Sequence, residues 1–496
     1  MAVEDDGLRR RIGGSAGWVV AERWGSRALS LAVFAMLARL VSPESFGTVA
    51  LATAIVATLQ AVVDAGFAKS LVQARRLGPD DASTMFWLTV AISLVVYGGL
   101  FVLAPHLGAW LGNSELPGVL RAVGVVLPLL ALSQVPAALL ERELSFKPLS
   151  VRQLVGSVCG AAIAIPVALA GLGVWALVAQ MVVGAMVAAI VLWSSTQWRP
   201  TLTFSVRSLR RHSRVGLSVL GTQLLDSLQA NLDKVVIGVF FDAAVLGYYF
   251  IAQRLVTILV ELIGAVISRV ALSTFSRVQG DLERLTRIYR LMSFIAGVAA
   301  VPILGLTAAF GPQVLGFLFG PGWGPSVGYL AVLSAVGIFT SIMYFDRTAL
   351  LATGNVRPMV WIVVLQNLLS VLMLLLLLPL GMIGVLLAQW ARVLTWPVRL
   401  ALLSKYVALN PRRYIVLVIR VLLPFVPVLI VIVLLQQTTW AQSDVAFVAF
   451  ALPLGSVAFV AYGAIAWAWA PQDIRAGLSP VAERVRRVWK RKRPRD

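Results

Sequence analysis

Polar side chains spaced at helical intervals inside an apolar stretch are the first sign of chemistry in this chain. Between residues 213 and 241 these are Thr222, Asp226, Gln229 and Asp233. At about 100° per residue all four share one narrow helical face. Lys234 and Gln223 stand beside that stripe. The next stretch, residues 243–273, carries Arg254, Glu261 and Ser268 at seven-residue intervals, again on one face. A charge at the centre of a membrane helix costs about 2.5–3.5 kcal/mol on insertion scales. Several on two neighbouring helices make a poor purely structural bundle. They suit stripes that line a wet cavity handling something charged.

The elements that must position these residues follow from composition. Of 496 residues 59% are hydrophobic and 13% charged, the balance of a polytopic membrane protein. The single cysteine, Cys159, excludes a disulfide framework, and His106 and His212 lie far apart without metal-ligand spacing. Residues 1–14 carry both signs of charge and lack a signal-peptide pattern, so the first apolar run is expected to remain as an anchor. Segments of about 20 apolar residues are needed to cross the hydrocarbon core, and about fourteen are expected. They are 15–40, 45–68, 84–108, 117–139, 150–170, 172–195, 213–241, 243–273, 289–311, 326–346, 358–379, 382–404, 414–435 and 445–470.

Charge placement gives a second reading of the same count. Lys and Arg cluster at the N-terminus and in the loops after the second, fourth, sixth, eighth, tenth and twelfth segments. The alternate loops, around Pro43, Asn113, Gly171, Asp242, Pro321, Leu380 and Thr438, carry none. This is the positive-inside pattern, and it implies an even number of spans with both termini cytoplasmic. The net charge of +20 is thereby spread along one membrane face, which removes the nucleic-acid reading.

An internal repeat is also legible. Ser45-Phe46-Gly47 matches Val245-Leu246-Gly247, Phe146-Lys147-Pro148 matches Val356-Arg357-Pro358, and Leu177-Val178-Ala179-Gln180 matches Leu386-Leu387-Ala388-Gln389. The expected organisation is a cytoplasmic N-terminus (1–14), a six-helix lobe (15–197), a basic linker (198–212), a second six-helix lobe (213–406), two additional spans (407–470) and a basic tail (471–496). The first lobe repeats the polar load of the second: Glu22, Arg23 and Arg27 in its first span, Gln60 and Asp64 in its second.

The run Ala38-Arg39-Leu40-Val41-Ser42-Pro43-Glu44-Ser45-Phe46-Gly47 resembles the "ARLLSPEEFG" signature of the polysaccharide biosynthesis family. Leu140-Glu141-Arg142-Glu143-Leu144-Ser145-Phe146-Lys147 is similar to that family's loop between the fourth and fifth helices. These are Wzx-type flippases of the multidrug/oligosaccharidyl-lipid/polysaccharide exporter superfamily. The resemblance covers the chain up to about Pro471. It implies an all-α polytopic protein with a V-shaped core of two six-helix repeats, a cationic central cavity and alternating access. It further implies a substrate of undecaprenyl-pyrophosphate bearing an oligosaccharide repeat unit, moved to the outer leaflet of the bacterial plasma membrane.

The physical problem of such a protein is the head group, because a hydrated sugar pyrophosphate cannot cross hydrocarbon unaided. Arg23, Arg27, Lys234 and Arg254 are the candidates for the pyrophosphate, since a planar guanidinium matches phosphate oxygens. The competing reading is that these residues snorkel, as Arg269 and Arg39 are expected to, or form buried ion pairs. The carboxylates Glu22, Asp64, Asp226, Asp233 and Glu261 either carry a coupling proton or Na+, or neutralise the arginines. No catalytic residue, metal site or bound cofactor is expected. The expected partners are a lipid-linked oligosaccharide, membrane lipids and a polysaccharide polymerase, with the chain itself a monomer. Gly156 and Gly160 have the spacing of close helix packing. The basic tail reads as a topological anchor or as a segment lying on the anionic leaflet.

Three other functions compete. A lipid II-type or multidrug exporter of the same superfamily is the alternative within transport, and a cation-drug exporter would favour carboxylates and aromatics over arginine. A membrane polymerase or glycosyltransferase would need acid, base or metal groups on a sizeable external loop, and the longest, about residues 311–326, is uncharged. A purely structural scaffold conflicts with the intramembrane charges.

Overall fold

The computed structural model describes residues 30–64, 66–74, 76–275, 281–354, 356–436, 452–472 and 474–475. Among these, all regular structure is helical. The described part of each expected apolar segment is mainly helical, the first from Ser30 onward and the last from Leu452, but the segments expected as single spans at 45–68, 117–139, 326–346 and 382–404 are interrupted at Asp64 and Gly66, at Val125, at 343–345, and at 389–390 and Thr395. Among the described residues, ten helical stretches are long and apolar enough to cross a membrane, and two shorter ones, Ser30–Leu40 and Gly455–Trp469, are also apolar.

The chain divides into two compact units. The first comprises Met1–Phe250 with Leu318–Trp323, the second Ile251–Phe317 with Gly324–Asp496. The described helices of the first are α1 (Ser30–Leu40), α2 (Pro43–Val63), α3 (Phe67–Gln73), α4 (Asp81–Trp110), α5 (Leu116–Gly124), α6 (Val126–Arg142), α7 (Phe146–Leu169), α8 (Val174–Ser195) and α9 (Val206–Phe240). Helix α10 (Ala243–Phe275) begins in this unit. The second unit holds α11 (Leu282–Ala309), most of α12 (Gly311–Phe319), α13 (Ser326–Ile342), α14 (Asp346–Ala352), α15 (Val356–Leu377), α16 (Met382–Ala388), α17 (Ala391–Leu394), α18 (Trp396–Val407), α19 (Pro411–Leu422), α20 (Phe425–Gln436) and α21 (Leu452–Trp469).

Local sequence explains where the helices start. Ser42 caps α2, its hydroxyl accepting from the Ser45 amide at 3.3 Å, with Pro43 in the first turn. Ser205 caps α9, Asp281 caps α11, and Asn410 followed by Pro411 starts α19. Prolines 105, 136, 166 and 302 lie inside helices. Neighbouring helices make such interruptions tolerable in a membrane protein.

Small residues set the packing of the first unit. A Cβ on Gly156 would lie 2.6 Å from the Gly184 carbonyl oxygen, and one on Gly160 would lie 2.5 Å from that of Gln180. The expected close packing of these two glycines is therefore the α7–α8 contact. The repeat glycines behave in the same way. A Cβ on Gly47 would stand 1.7 Å from the Ala243 oxygen, and one on Gly247 would stand 2.0 Å from the Pro43 oxygen. The two positions matched in the sequence repeat thus make one reciprocal backbone crossing at the starts of α2 and α10. An aromatic cluster holds residues 318–323 beside it. Phe34, Phe46, Phe319, Tyr248 and Trp323 meet edge to face, and Trp323 Nε1 donates to the Ala38 carbonyl at 2.9 Å.

The second unit is closed by a buried polar network. Arg399 donates to Asp346 at 3.3 Å and to Gln366 at 2.6 Å. Tyr289 donates to the other Asp346 oxygen at 2.7 Å and lies 3.1 Å from the Tyr414 hydroxyl. These bonds tie α11, α14, α15, α18 and α19 into one arrangement, with Arg399 Nε left buried without a hydrogen-bond partner among the described residues.

Candidate functional site

In the first unit, helices α2, α3, α6 and α7, with Asp64 at the end of α2, line a partly open cavity of about 220 Å³. Its polar lining is Gln60, Asp64, Lys69, Ser133, Gln134, Glu141 and Arg152. The Asp64 carboxylate accepts from Gln134 Nε2. With its amide oriented to satisfy both neighbours, Gln223 of α9 donates to the Asp64 carbonyl at 3.3 Å and accepts from Lys69 Nζ at 2.9 Å. Arg152 brings a guanidinium whose buried Nε has no hydrogen-bond partner among the described residues. The cavity therefore holds both signs of charge.

Asp64 stands one residue past the end of the span Pro43–Val63. Burial raises its carboxyl above the ordinary value, while Lys69, Gln60 and Gln134 oppose the rise. At about 30 Å³ per water, the cavity takes several water molecules. Sites for drug-sized ligands run from about 300 to 1,000 Å³, so this one suits water and a small cation or proton rather than an oligosaccharide.

The surroundings explain how the helices come to this geometry. Ser227 of α9 donates to the Ala57 carbonyl at 3.2 Å, and Gly238 lets Leu51 of α2 approach. Arg142, at the end of α6, donates to the Leu71 carbonyl at 2.8 Å and also to that of Ala74, closing the C-terminus of α3. Buried Asp81 accepts from Ser208 Oγ at 2.6 Å and from the Gly78 amide at 2.8 Å, and faces Arg211 at 3.8 Å. This ties the first turn of α9 to that of α4.

The other expected site residues are distributed as follows. Asp233 is buried and accepts from the Tyr249 hydroxyl and from the Lys234 amide. Lys234 Nζ donates to the Ala230 carbonyl at 3.2 Å and to Asn231 Oδ1 at 3.1 Å, partners on its own helix. Asp226 is exposed on α9. Arg254 and Glu261 are exposed on α10 and belong to the second unit. Glu22, Arg23 and Arg27 lie outside the described residues, as does the side chain of Arg269. Arg39 donates to the Leu318 carbonyl at 3.2 Å. Of the expected residues, the structure therefore brings Asp64 into a polar cavity and Asp233 and Lys234 into a local hydrogen-bonded cluster.

Lys69, Gln134, Glu141, Arg152 and Gln223 are the residues around Asp64 that pattern reading does not assemble. The available signals are Gln134, an amide inside an apolar run, and Arg152, a guanidinium beyond the first turn of a span. Among the described residues no group of three or more His, Cys, Asp or Glu has metal-binding geometry.

The profile of the polysaccharide biosynthesis protein family matches residues 36–328. The chain belongs to this family. It is 30% identical over 335 residues to the succinoglycan biosynthesis transport protein ExoT of Rhizobium meliloti (strain 1021), 67% of each chain being covered. It is 24% identical over 342 residues to the lipopolysaccharide biosynthesis protein WzxC of Escherichia coli (strain K12), covering 68% of each. Among solved structures, the lipid II flippase MurJ in an inward closed conformation superposes with a TM-score of 0.72 at 14% identity, over 90% of this chain and 98% of that one. An inward-facing multidrug resistance MATE transporter of the MOP superfamily gives 0.59 at 18% identity, over 77% and 96%. At these identities the likeness is one of fold. The chain is a multi-pass, Wzx-type transporter with the fold of the exporter superfamily, not an enzyme.

Proposed function

We propose that this protein is a flippase that moves undecaprenyl-pyrophosphate-linked oligosaccharide repeat units across the bacterial plasma membrane for surface polysaccharide assembly. The observation that carries the reading is the placement of ionisable groups at the end of α2 and on α9 and α10, in a chain whose family and relatives are named for polysaccharide biosynthesis and transport. Arg254 and Lys234, with Arg23 and Arg27, are the groups proposed to meet the pyrophosphate. Two six-helix repeats with two further helices, cytoplasmic termini and alternating access complete the reading.

The Asp64 cavity supports a division of labour. Its size and mixed charge fit a coupling cation, a proton or Na+, rather than the substrate. A proton on Asp64 would remove the attraction between its carboxylate and Lys69 and change the hydrogen bond that joins it to Gln134 of α6. Coupling then means that the state of one carboxyl biases how these helices pack.

The test is complementation of a bacterium that lacks its own repeat-unit flippase, with wild type, Arg254→Ala and Asp64→Asn at matched membrane levels. Surface polysaccharide restored by the wild type and lost with Arg254→Ala supports the cationic path. Retained export with Asp64→Asn, insensitive to an imposed proton or sodium gradient, removes the coupling role. Drug resistance instead of polysaccharide moves the assignment to a multidrug exporter.

A further inference from the structure

The second unit carries an open, strongly cationic cavity that transport of the substrate does not call for. It measures about 880 Å³. Arg287 and Arg290 of α11 and Arg412, Arg413 and Arg420 of α19 line it, with Glu283 the one carboxylate among the described lining residues. Pro471 and Gln472, beyond the end of α21, close one side. We propose that this cavity binds the phosphate head group of an anionic glycerophospholipid.

Three observations converge on it. The first is topological. The segments that build the cavity follow the eighth, twelfth and fourteenth apolar stretches, which charge alternation assigns to one and the same membrane face. Their meeting at one cavity puts five guanidiniums where a leaflet's head groups lie.

The second is electrostatic. Arg412 and Arg413 sit in the first turn of α19, at the positive end of the helix dipole, where cations are disfavoured. A bound phosphate resolves both problems, because it neutralises the arginines and complements the helix end. Arg420 is held in place by donating to the Trp469 carbonyl at 3.3 Å, so its guanidinium stays at the rim.

The third distinguishes a lipid from a soluble anion. The outward face of α19 continues from the arginines into an exposed apolar stripe. Ile415, Val416 and Ile419 are exposed, followed by Leu423, Val426 and Ile430 toward and along α20. A ligand with phosphate at one end and acyl chains beyond it matches that sequence of surfaces. A free phosphate uses only the first part. Basic pockets between transmembrane helices are a recurrent head-group geometry.

The test uses the purified full chain in detergent and native mass spectrometry with phosphatidylglycerol, phosphatidylcholine, inorganic phosphate and pyrophosphate as probes. Wild type is expected to retain phosphatidylglycerol roughly thirtyfold more tightly than phosphatidylcholine, the effect of about two surface arginines. Arg413→Gln with Arg420→Gln should abolish that preference, and Arg413→Lys with Arg420→Lys should keep most of it. All four substitutions are at exposed side chains, and an unchanged unfolding temperature confirms that each protein is folded. Equal binding of the two lipids by wild type overturns the proposal whether or not any variant folds. So does full preference in the glutamine variant. Displacement of the lipid by micromolar pyrophosphate would assign the cavity to a soluble anion and overturn the lipid assignment. Polysaccharide export does not enter these readouts, so their failure is separate from failure of the flippase reading.

Discussion

The crossing at Gly47 and Gly247 offers the sharpest quantitative test of how this fold is held. Substituting Gly47 by Ala places a Cβ 1.7 Å from the Ala243 carbonyl oxygen. Ordinary contact needs the two helix starts to part by about 1.5 Å. The obstacle is backbone, so no rotamer change can relieve it. Overpacking of this kind costs about 1–3 kcal/mol, occasionally more, and a rigid backbone obstacle belongs at the upper end. Gly247→Ala meets the same problem from the other side, at 2.0 Å from the Pro43 oxygen. Because either substitution forces the same separation, the double variant should cost clearly less than the sum of the two. The assay is the apparent unfolding temperature in detergent, with Gly99→Ala as control, since a Cβ there meets nothing within 4 Å. Each crossing variant should unfold several degrees below wild type, and the control should match or exceed it. Wild-type stability of Gly47→Ala, or strict additivity of the pair, would refute the reasoning.

The folded protein holds the Asp64 carboxyl proton more tightly than an unfolded chain does, so the charged form opposes folding there. Stability of wild type relative to Asp64→Asn should therefore fall as pH rises above the ordinary carboxylate value of 3.8 and converge below it, read as the difference in unfolding temperature across pH. Arg142→Met should cost about 2–3 kcal/mol by leaving the Leu71 and Ala74 carbonyls without their charged donor, with faster amide exchange confined to α3. Arg399→Met should destabilise the second unit by about 3–5 kcal/mol by stranding buried Asp346, and adding Asp346→Leu should recover part of the loss. Gly160→Leu should separate α7 from α8 and lower the unfolding temperature well below that of Gly98→Leu, the matched comparison, because a Cβ at Gly98 meets nothing within 4 Å.

Much of the architecture is written in hydropathy. The described apolar runs are mainly helical because a backbone in hydrocarbon must bond within its own segment. Serine–proline and asparagine–proline pairs mark the starts of α2 and α19. The run 382–404 reads as one span, yet it forms α16, α17 and α18, interrupted near Gln389 and Thr395. Window-averaged hydropathy hides that interruption, because the surrounding leucines and valines outweigh Gln389, Arg392 and Thr395. The repeat at Gly47 and Gly247 is visible as an offset, but its reciprocity is not. Two similar glycines become a crossing only when tertiary structure brings their helices together.

Site reading fails where a side chain's partner is distant in sequence. The stripe on α9 singles out Asp233, but spacing does not show that the Tyr249 hydroxyl, on the next helix, donates to it. Gln60 and Asp64 are recognisable as an anomaly in an apolar helix. What makes Asp64 a candidate for coupling comes from Gln134, 70 positions away, and from Arg152 and Gln223. The contrast with Asp346 sharpens the point. Asp346 faces Arg399, whereas Asp64, one residue past the end of its span, accepts from Gln134 in a cavity that Lys69 and Arg152 also line. Asp346 is enclosed by Arg399 and Tyr289, so a change in its charge would strand a guanidinium without giving an ion anywhere to enter. Asp64 borders enough space for several waters and has cations that can exchange partners. The same chemistry is therefore a fixed brace in one unit and a site able to change state in the other, and room for water is the property that separates them.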